Sequence, residues 1–536
     1  MRSGVAGAAE RSGFETRAVL GTLVLLGVAS VLVVTHAAIA ALSLCLNETP
    51  DLSAELRLAV PVAAQAAQGV LRLLGQSGVD GGCDPSAPAR FMAIAGAAYV
   101  VGIVVLDRGF VRARTQWVMV LLAAAVMQAL LFFMPGLLSS DILDYASHGR
   151  VAAIHASNPY LVAPLAFPND PFAHQGAWPG AVTVYGPLWT DIDAAITRVF
   201  AVADRVQLAF AYKAVGLLSN VAILYLIWWI AKTWQTSPGV AVAMWAWNPL
   251  ANLEMVGSAH NEGVMTVFVL LALVLLSTRR AAGMQPLVWL AALACLGLGA
   301  LIKFVPAAVA AMTGLLWLRG IPTRMRRVRT GLVAAAVLVL MSLAAAWPWL
   351  DSPAVAEPLV SVAAGGQRFK DVWQDAPAAW LTVRVVPLLG VPDDPPTLRM
   401  DVARSMVWAV TRAVFVIYLA FEAWSLLRSP DSAGIAQVRR IALASLRCLL
   451  LAILLFVSQV YAWYFLWPLP MACLLGWREP WSKAAVLFGL TFLVAFYLRE
   501  FQPYGVFYVP IYALVALAAL AMLWRAERTP ALAYAP

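Results

Sequence analysis

Charge is what this sequence has least of. Only 12% of its 536 residues are Asp, Glu, Lys or Arg, about half the share of an ordinary soluble domain. That scarcity argues against a chain that keeps most of its surface in water. Cysteine is scarce as well, with five residues. None has CxxC or zinc-ligand spacing, which sets aside a zinc module or a dithiol redox site. Cys295, Cys448 and Cys473 fall in apolar runs and read as small core residues. Cys45 and Cys83 bracket one polar segment, where a disulfide would require an oxidising compartment. The formal net charge is +9, but no basic patch is interleaved with exposed aromatics, so nucleic acid is not an expected partner. There is no internal repeat, low-complexity tail, heptad array or HExxH pair.

The chain is rich instead in apolar side chains, at 62%, with a mean hydropathy of +0.80. They come in runs near the roughly 20 residues that cross a bilayer. The first, 18–42, follows Arg2, Arg11 and Arg17 and lacks a small-residue cleavage site. It reads as a spanning helix rather than a signal peptide. Residues 47–90 form a polar stretch. Further runs lie at 91–106, 117–134, 208–230, 240–255, 264–276, 333–349, 406–426, 442–457, 464–475, 485–497 and 506–523, and at 287–318, where Lys303 and Pro306 predict a tight helix pair. Threaded alternately, these runs put the compact basic clusters on one side, including the densest, Arg319 with Arg324, Arg326, Arg327 and Arg329. The excess of Lys and Arg in cytoplasmic loops then makes both termini cytoplasmic and two long polar segments, 135–205 and 351–404, extracytoplasmic. The expected fold class is all-α: a polytopic transmembrane helix bundle of about 12–14 helices. It would form one integral membrane domain over 1–536, with 135–205 as the catalytic loop region and 351–404 as a second loop.

The polar residues that interrupt the apolar runs are the candidates for chemistry. In 139–150, helical spacing puts Asp141, Tyr145 and His148 on one face. Gly149 is expected to end that helix, and Asn158-Pro159-Tyr160 to turn the chain. A carboxylate beside an apolar body has its pKa moved by desolvation or by a nearby cation, which suits a general base or an electrostatic anchor. Taken alone, Asp141 reads first as a helix cap, His148 as a wet surface histidine and Arg150 as a lipid-headgroup contact. The loop continues through Asp170, Phe172, Trp178, Tyr185-Gly186-Pro187 and Trp189. Such aromatics are usually interface-belt residues, though they also stack on sugar rings. A second group is Trp245-Ala246-Trp247-Asn248-Pro249-Leu250, then Glu254, where an ionised group is costly. A polar turn follows with His260, Asn261 and Glu262. A phosphate would need cations, and the candidates are Lys303, Lys213, Arg368 and Lys370; Lys213 reads as snorkelling to headgroups. The last group is Tyr461, Trp463, Tyr464, Trp467 and Pro468.

In this order, Ser140-Asp141 with Tyr145, Gly149-Arg150, Asn158-Pro159-Tyr160, Tyr185-Gly186-Pro187, Asn248-Pro249-Leu250 with Glu254, His260-Asn261, Lys303 with Pro306, and Tyr461 with Trp463-Tyr464 resemble the GT-C superfamily of polyprenyl-phosphate-sugar-dependent glycosyltransferases, and within it the actinobacterial α-(1→6)-mannopyranosyltransferases. Glu262 stands where the related enzymes often carry Asp. The resemblance implies transfer of a hexose, expected to be mannose, from a polyprenyl-phosphate sugar to a hydroxyl of a cell-envelope glycan or glycolipid. The transfer would occur at the extracytoplasmic face of a bacterial plasma membrane, among membrane lipids. Asp141 would be the catalytic base, with Asp144 and Glu254 as alternatives. Asp144, Tyr145, His148, Arg150, Tyr160, Tyr185, Glu254, His260, Asn261, Lys303, Arg368, Tyr461 and Trp463 would bind substrate. No cofactor is implied beyond the lipid-linked donor, and no protein-bound metal; a divalent ion stays open. The chemistry fits: an oxocarbenium-like transition state calls for a base on the attacking hydroxyl and a cation on the leaving phosphate. A transporter or lipid flippase is the competing reading, but such proteins tend to show repeats and mid-bilayer charges. A non-catalytic polyprenyl-lipid scaffold is a third.

Overall fold

Proline is tolerated at the first helical position, where no N–H is needed, and almost nowhere else in a helix. The chain holds 32 prolines, and Pro50, Pro61, Pro187, Pro238, Pro249, Pro286, Pro306 and Pro480 each open a helix. A computed structural model describes residues 2–44, 50–76, 84, 86–201, 204–278, 283, 285–363, 398–428, 434–457 and 460–500. The helices are α1 (Arg2–Leu42), α2 (Pro50–Ala59), α3 (Pro61–Leu73), α4 (Ala87–Asp107), α5 (Ala113–Phe132), α6 (Asp141–Ala153), α7 (Pro187–Val199), α8 (Arg205–Thr233), α9 (Pro238–Ala246), α10 (Pro249–Asn252), α11 (Glu262–Leu276), α12 (Pro286–Ala300), α13 (Pro306–Gly320), α14 (Arg324–Ala346), α15 (Ala356–Ala363), α16 (Leu398–Arg428), α17 (Ile435–Leu451), α18 (Leu469–Leu475) and α19 (Pro480–Glu500). Among the described residues there is no strand, and the architecture is an all-α polytopic membrane bundle.

Among the described residues, seven helices are long and apolar enough to span a bilayer, or eight if Pro249–Gly257 and Glu262–Leu276 count as one broken span. Two shorter apolar helices add to these. The sequence shows more apolar runs because several are interrupted. The run 240–255 divides at Asn248-Pro249, where the Asn248 side chain accepts the Leu250 N–H and caps α10, and it ends in a π turn, Leu253–Gly257. The pair expected around Lys303 and Pro306 forms as α12 and α13. The polar stretch 47–90 holds two helices, α2 and α3. Cys45, Cys83, Arg368, Lys370 and the run 506–523 lie outside the described residues.

The chain divides into two compact units. Unit 1 comprises 1–140, 204–260 and 472–536; unit 2 comprises 141–203 and 261–471. In unit 1, α1 packs on α4 and α5, and α19 packs on α4. The end of α9 and the residue after it tie this unit together. The Trp247 indole donates to the Val120 carbonyl on α5, the Trp245 indole to Asn220 on α8, and the Tyr99 hydroxyl on α4 to the Met244 carbonyl. Lys213 does not snorkel. It is fully buried and donates to the Leu131 and Phe132 carbonyls at 3.3 Å each. These carbonyls lie in the last turn of α5, where a cation complements the helix dipole.

In unit 2, α6 packs along α7, and α12 packs between α11 and α13. Gly149 does not end α6, which continues to Ala153. Its lack of a side chain lets two backbones meet instead. A Cβ there would lie 2.6 Å from the Asp193 carbonyl oxygen of α7 and closer still to Thr197 Oγ1. Gly149→Ala should therefore lower the melting temperature of the detergent-purified protein, as overpacking by one methyl typically costs about 1–3 kcal/mol. Gly27→Ala is the control, because a Cβ there meets nothing within 4 Å. Equal melting of the two variants would rule out the close approach.

Candidate active site

The long loop of unit 2 is held by side chains that the family resemblance would assign to substrate. Asp144, in the first turn of α6, is 3% exposed and accepts the Ala177 and Trp178 N–H groups at 3.2 Å each. Burial drives its pKa up from 3.8 to about 7. The charge of Asp141 adds to the rise and the two amides oppose it. His148 is not a wet surface histidine. It is buried between the Asp144 and Ala181 carbonyl oxygens, at 2.7 and 3.2 Å, and burial pushes its pKa down. Arg150 is not free for headgroups. It donates to Asp170 at 2.9 Å, lies over the Phe172 ring, and shares Asp170 with His155 at 2.7 Å. Burial alone would raise the Asp170 carboxyl, but the Arg150, Phe172 and His155 hydrogen bonds outweigh it and hold the carboxyl below its usual range. Tyr160 is buried and donates to the Tyr185 carbonyl at 2.9 Å. Asn158 donates to the Trp349 carbonyl and to Asp351, which joins the first long loop to the start of the second polar segment.

A smaller set faces inward from these supports. Tyr185-Gly186-Pro187 is pinned by backbone: the Gly186 N–H donates to the Ile302 carbonyl and the Leu188 N–H to the Leu301 carbonyl, both at 3.0 Å. Only glycine permits this, since a Cβ on Gly186 would lie 2.6 Å from the Leu301 carbonyl carbon. Tyr185 is thereby fastened beside Lys303. Its hydroxyl makes a long 3.5 Å contact to Asp141 Oδ2, and Asp141 opens α6 as its first residue. The Tyr145 ring meets the Tyr185 ring edge-on at 5.0 Å and the buried Trp189 ring at 5.1 Å, and its hydroxyl accepts the Asn261 N–H at 3.4 Å. Trp189 is thus core, not interface belt.

Glu262 completes the set. It is 0% exposed, and its Oε1 accepts from the Lys303 ammonium and, at 3.5 Å, from the Trp467 indole. The Lys303 ammonium lies 4.7 Å from the Tyr464 ring centre and 5.7 Å from that of Trp467. Those two rings stack at 4.3 Å, as do Tyr461 and Trp463 at 4.4 Å. Tyr464 lies within electrostatic reach of both Asp141 and Glu262. Asp141, Tyr185, Lys303, Tyr461 and Tyr464 are partly exposed, whereas Glu262, Tyr145 and Trp467 stand behind them. The arrangement offers a proton acceptor, a cation with donor capacity beyond its one carboxylate, and aromatic faces.

Glu254 and His260 belong to unit 1. There His260 Nε2 lies 3.1 Å from Glu254 Oε2, and the Tyr497 hydroxyl donates to Glu254 Oε1. Both are buried. Sequence reasoning named Glu262, Tyr464 and Trp467 in its candidate groups but gave them no role in binding or catalysis. The available signal was a carboxylate at the head of an apolar run, which requires a buried cation. Among the described residues, no group of three His, Cys, Asp or Glu side chains could hold a metal ion.

The raised pKa of Asp144 has a stability consequence. Between pH 3.8 and about 7 the folded chain holds a proton that the unfolded chain releases. This contribution is full below the lower value and is lost as pH rises through the upper one. Asp144→Asn should flatten the fall in melting temperature between pH 5 and pH 8. It should also lower the melting temperature at pH 5, because one of two amide donors loses its acceptor, at about 1–3 kcal/mol. A pH slope equal to that of the parent protein would refute the buried acid.

Comparison with known proteins finds relatives by sequence. Residues 60–319 match the family model described as Alpha-(1->6)-mannopyranosyltransferase, N-terminal domain. This range includes Asp141, Tyr185, Glu262 and Lys303. Over 152 residues, 28% of this chain, the sequence is 28% identical to Alpha-(1->6)-mannopyranosyltransferase A of Corynebacterium glutamicum. Over 141 residues, 26% of this chain, it is 28% identical to Alpha-(1->6)-mannopyranosyltransferase B of the same organism. The matched stretches span 30% and 23% of the lengths of those curated relatives. In this matched sequence, the chain resembles the actinobacterial α-(1→6)-mannopyranosyltransferases.

Proposed function

We propose that the protein is a membrane glycosyltransferase. It moves a mannosyl unit from a polyprenyl-phosphate donor to a hydroxyl of a cell-envelope glycan or glycolipid at the extracytoplasmic face, with both termini of the chain cytoplasmic. The observation that carries this reading is the placement of Asp141, through Tyr185, beside the Lys303 turn within one compact unit. Asp141 takes the proton of the acceptor hydroxyl as its oxygen bonds to the anomeric carbon. The bond from that carbon to the phosphate oxygen breaks, and the lipid phosphate leaves with the electron pair. Lys303 keeps donor capacity after serving Glu262 and meets that phosphate. Attack opposite the leaving group inverts the anomeric configuration. The stacked pairs Tyr461–Trp463 and Tyr464–Trp467 provide faces for sugar rings. The residues supply this chemistry without a cofactor.

Purified protein incubated with radiolabelled polyprenyl-phosphate mannose and an envelope glycolipid fraction, with and without chelator, tests the reading. Label should enter the acceptor in both cases. Transfer only without chelator would add a metal. Transfer of another sugar would replace mannose. No transfer from any donor would reject the enzyme and favour a transporter or flippase. Asp141→Asn should lower the rate by roughly 10²–10⁴-fold with melting temperature retained, and full activity would reject it as the base. Lys303→Met should unfold at lower temperature, because it leaves Glu262 a buried charge without its cation, typically worth about 3–5 kcal/mol. Adding Glu262→Gln should restore the melting temperature but not transfer. Recovery of both would confine Lys303 to a structural role.

A further inference from the structure

The basic cluster at the junction of α13 and α14 is not used by the proposed chemistry. Arg319 lies in the last turn of α13, and Arg324, Arg326, Arg327 and Arg329 lie in the first two turns of α14. No acidic residue occurs between 319 and 329. Arg327 and Arg319 are fixed to the protein: Arg327 donates to the Ile321 and Arg319 carbonyls, and Arg319 to the Leu426 carbonyl at the end of α16. That last bond brings the exposed Arg428, stacked on Trp424, to the same end of unit 2. Arg324, Arg326 and Arg329 are exposed and form no ion pair among the described residues. So many cations at one end of a helix, unscreened by acids, repel one another and favour a bound anion.

A second feature of α14 identifies the anion. Its spanning window is 11% buried, the lowest of the seven candidate spans. Met325, Val328, Leu332, Val339, Leu340 and Leu343 are all at least half exposed or nearly so, at 78, 52, 67, 56, 65 and 49%. An apolar strip therefore runs from the arginines along the helix. A soluble anion would use the arginines and leave the strip, whereas an amphiphile with an anionic head and acyl tails matches both. We propose that the Arg324–Arg329 end of α14, with its exposed apolar flank, is a binding site for an anionic phospholipid whose phosphate is held by Arg324, Arg326 and Arg329.

The test uses the purified full-length chain in neutral detergent, melted with added phosphatidylglycerol, phosphatidylcholine or inorganic phosphate. Phosphatidylglycerol should raise the melting temperature more than phosphatidylcholine, and less so at high salt. The triple variant R324Q/R326Q/R329Q should melt like the parent without lipid and lose most of the phosphatidylglycerol shift. In native mass spectrometry the parent should retain a phosphatidylglycerol adduct that the variant lacks. Equal shifts from the two lipids, or a triple variant that keeps the full shift and the adduct, would overturn the proposal. An equal shift from inorganic phosphate would overturn it in favour of a free-anion site. If the variant fails to fold, the parent's lipid preference and its salt dependence decide.

Discussion

A carboxylate removed from water requires a cation, and in unit 2 that requirement joins Glu262 to Lys303. Glu262 heads an apolar helix and is wholly buried, so an ionised form without a partner would be costly. The pair then sets the positions around it. Lys303 is the first residue past two carbonyls that hold the Tyr185 loop, so wherever the pair locks Lys303, Tyr185 and its contact to Asp141 follow. The ring faces of Tyr464 and Trp467 cover the cation from the other side, and the Trp467 indole donates to the same Glu262 oxygen. Residues from Asp141 to Trp467, 326 positions apart in sequence, are thus assembled around one charge.

The surrounding loop shows how a mostly polar segment stays ordered on an apolar body. Its backbone amides cannot rely on regular structure, so side chains satisfy them: Asp144 for Ala177 and Trp178, Asp170 for Phe172, Asn158 for Tyr160. Asp170 in turn gathers Arg150 and His155. This network explains why so many candidates chosen for chemical type serve as supports. The same residue types that bind sugars and phosphates also hold loops. In unit 1 the equivalent task falls to Lys213 and to the indoles of Trp245 and Trp247.

The sequence by itself determined the class of the protein, because lipid imposes a simple condition. A segment without water must satisfy its own backbone, which apolar runs of bilayer length do only as helices. The helix pair around Lys303 and Pro306 was legible in the same pattern, as an apolar run broken in its middle. Spacing along α6 also placed Asp141 and Tyr145 correctly as neighbours on one face. What only the tertiary structure decided was which polar side chains face inward and which hold the loop. Gly149 reads as a helix stop until α7 is seen against it, and Arg150 reads as a free cation until Asp170, 20 residues on, is folded back to it. Glu262 reads as a turn residue until Lys303 arrives from 41 positions away. Composition and period record what a residue does to its own segment, whereas pairing, burial and the pKa of a buried acid such as Asp144 depend on segments that sequence leaves far apart.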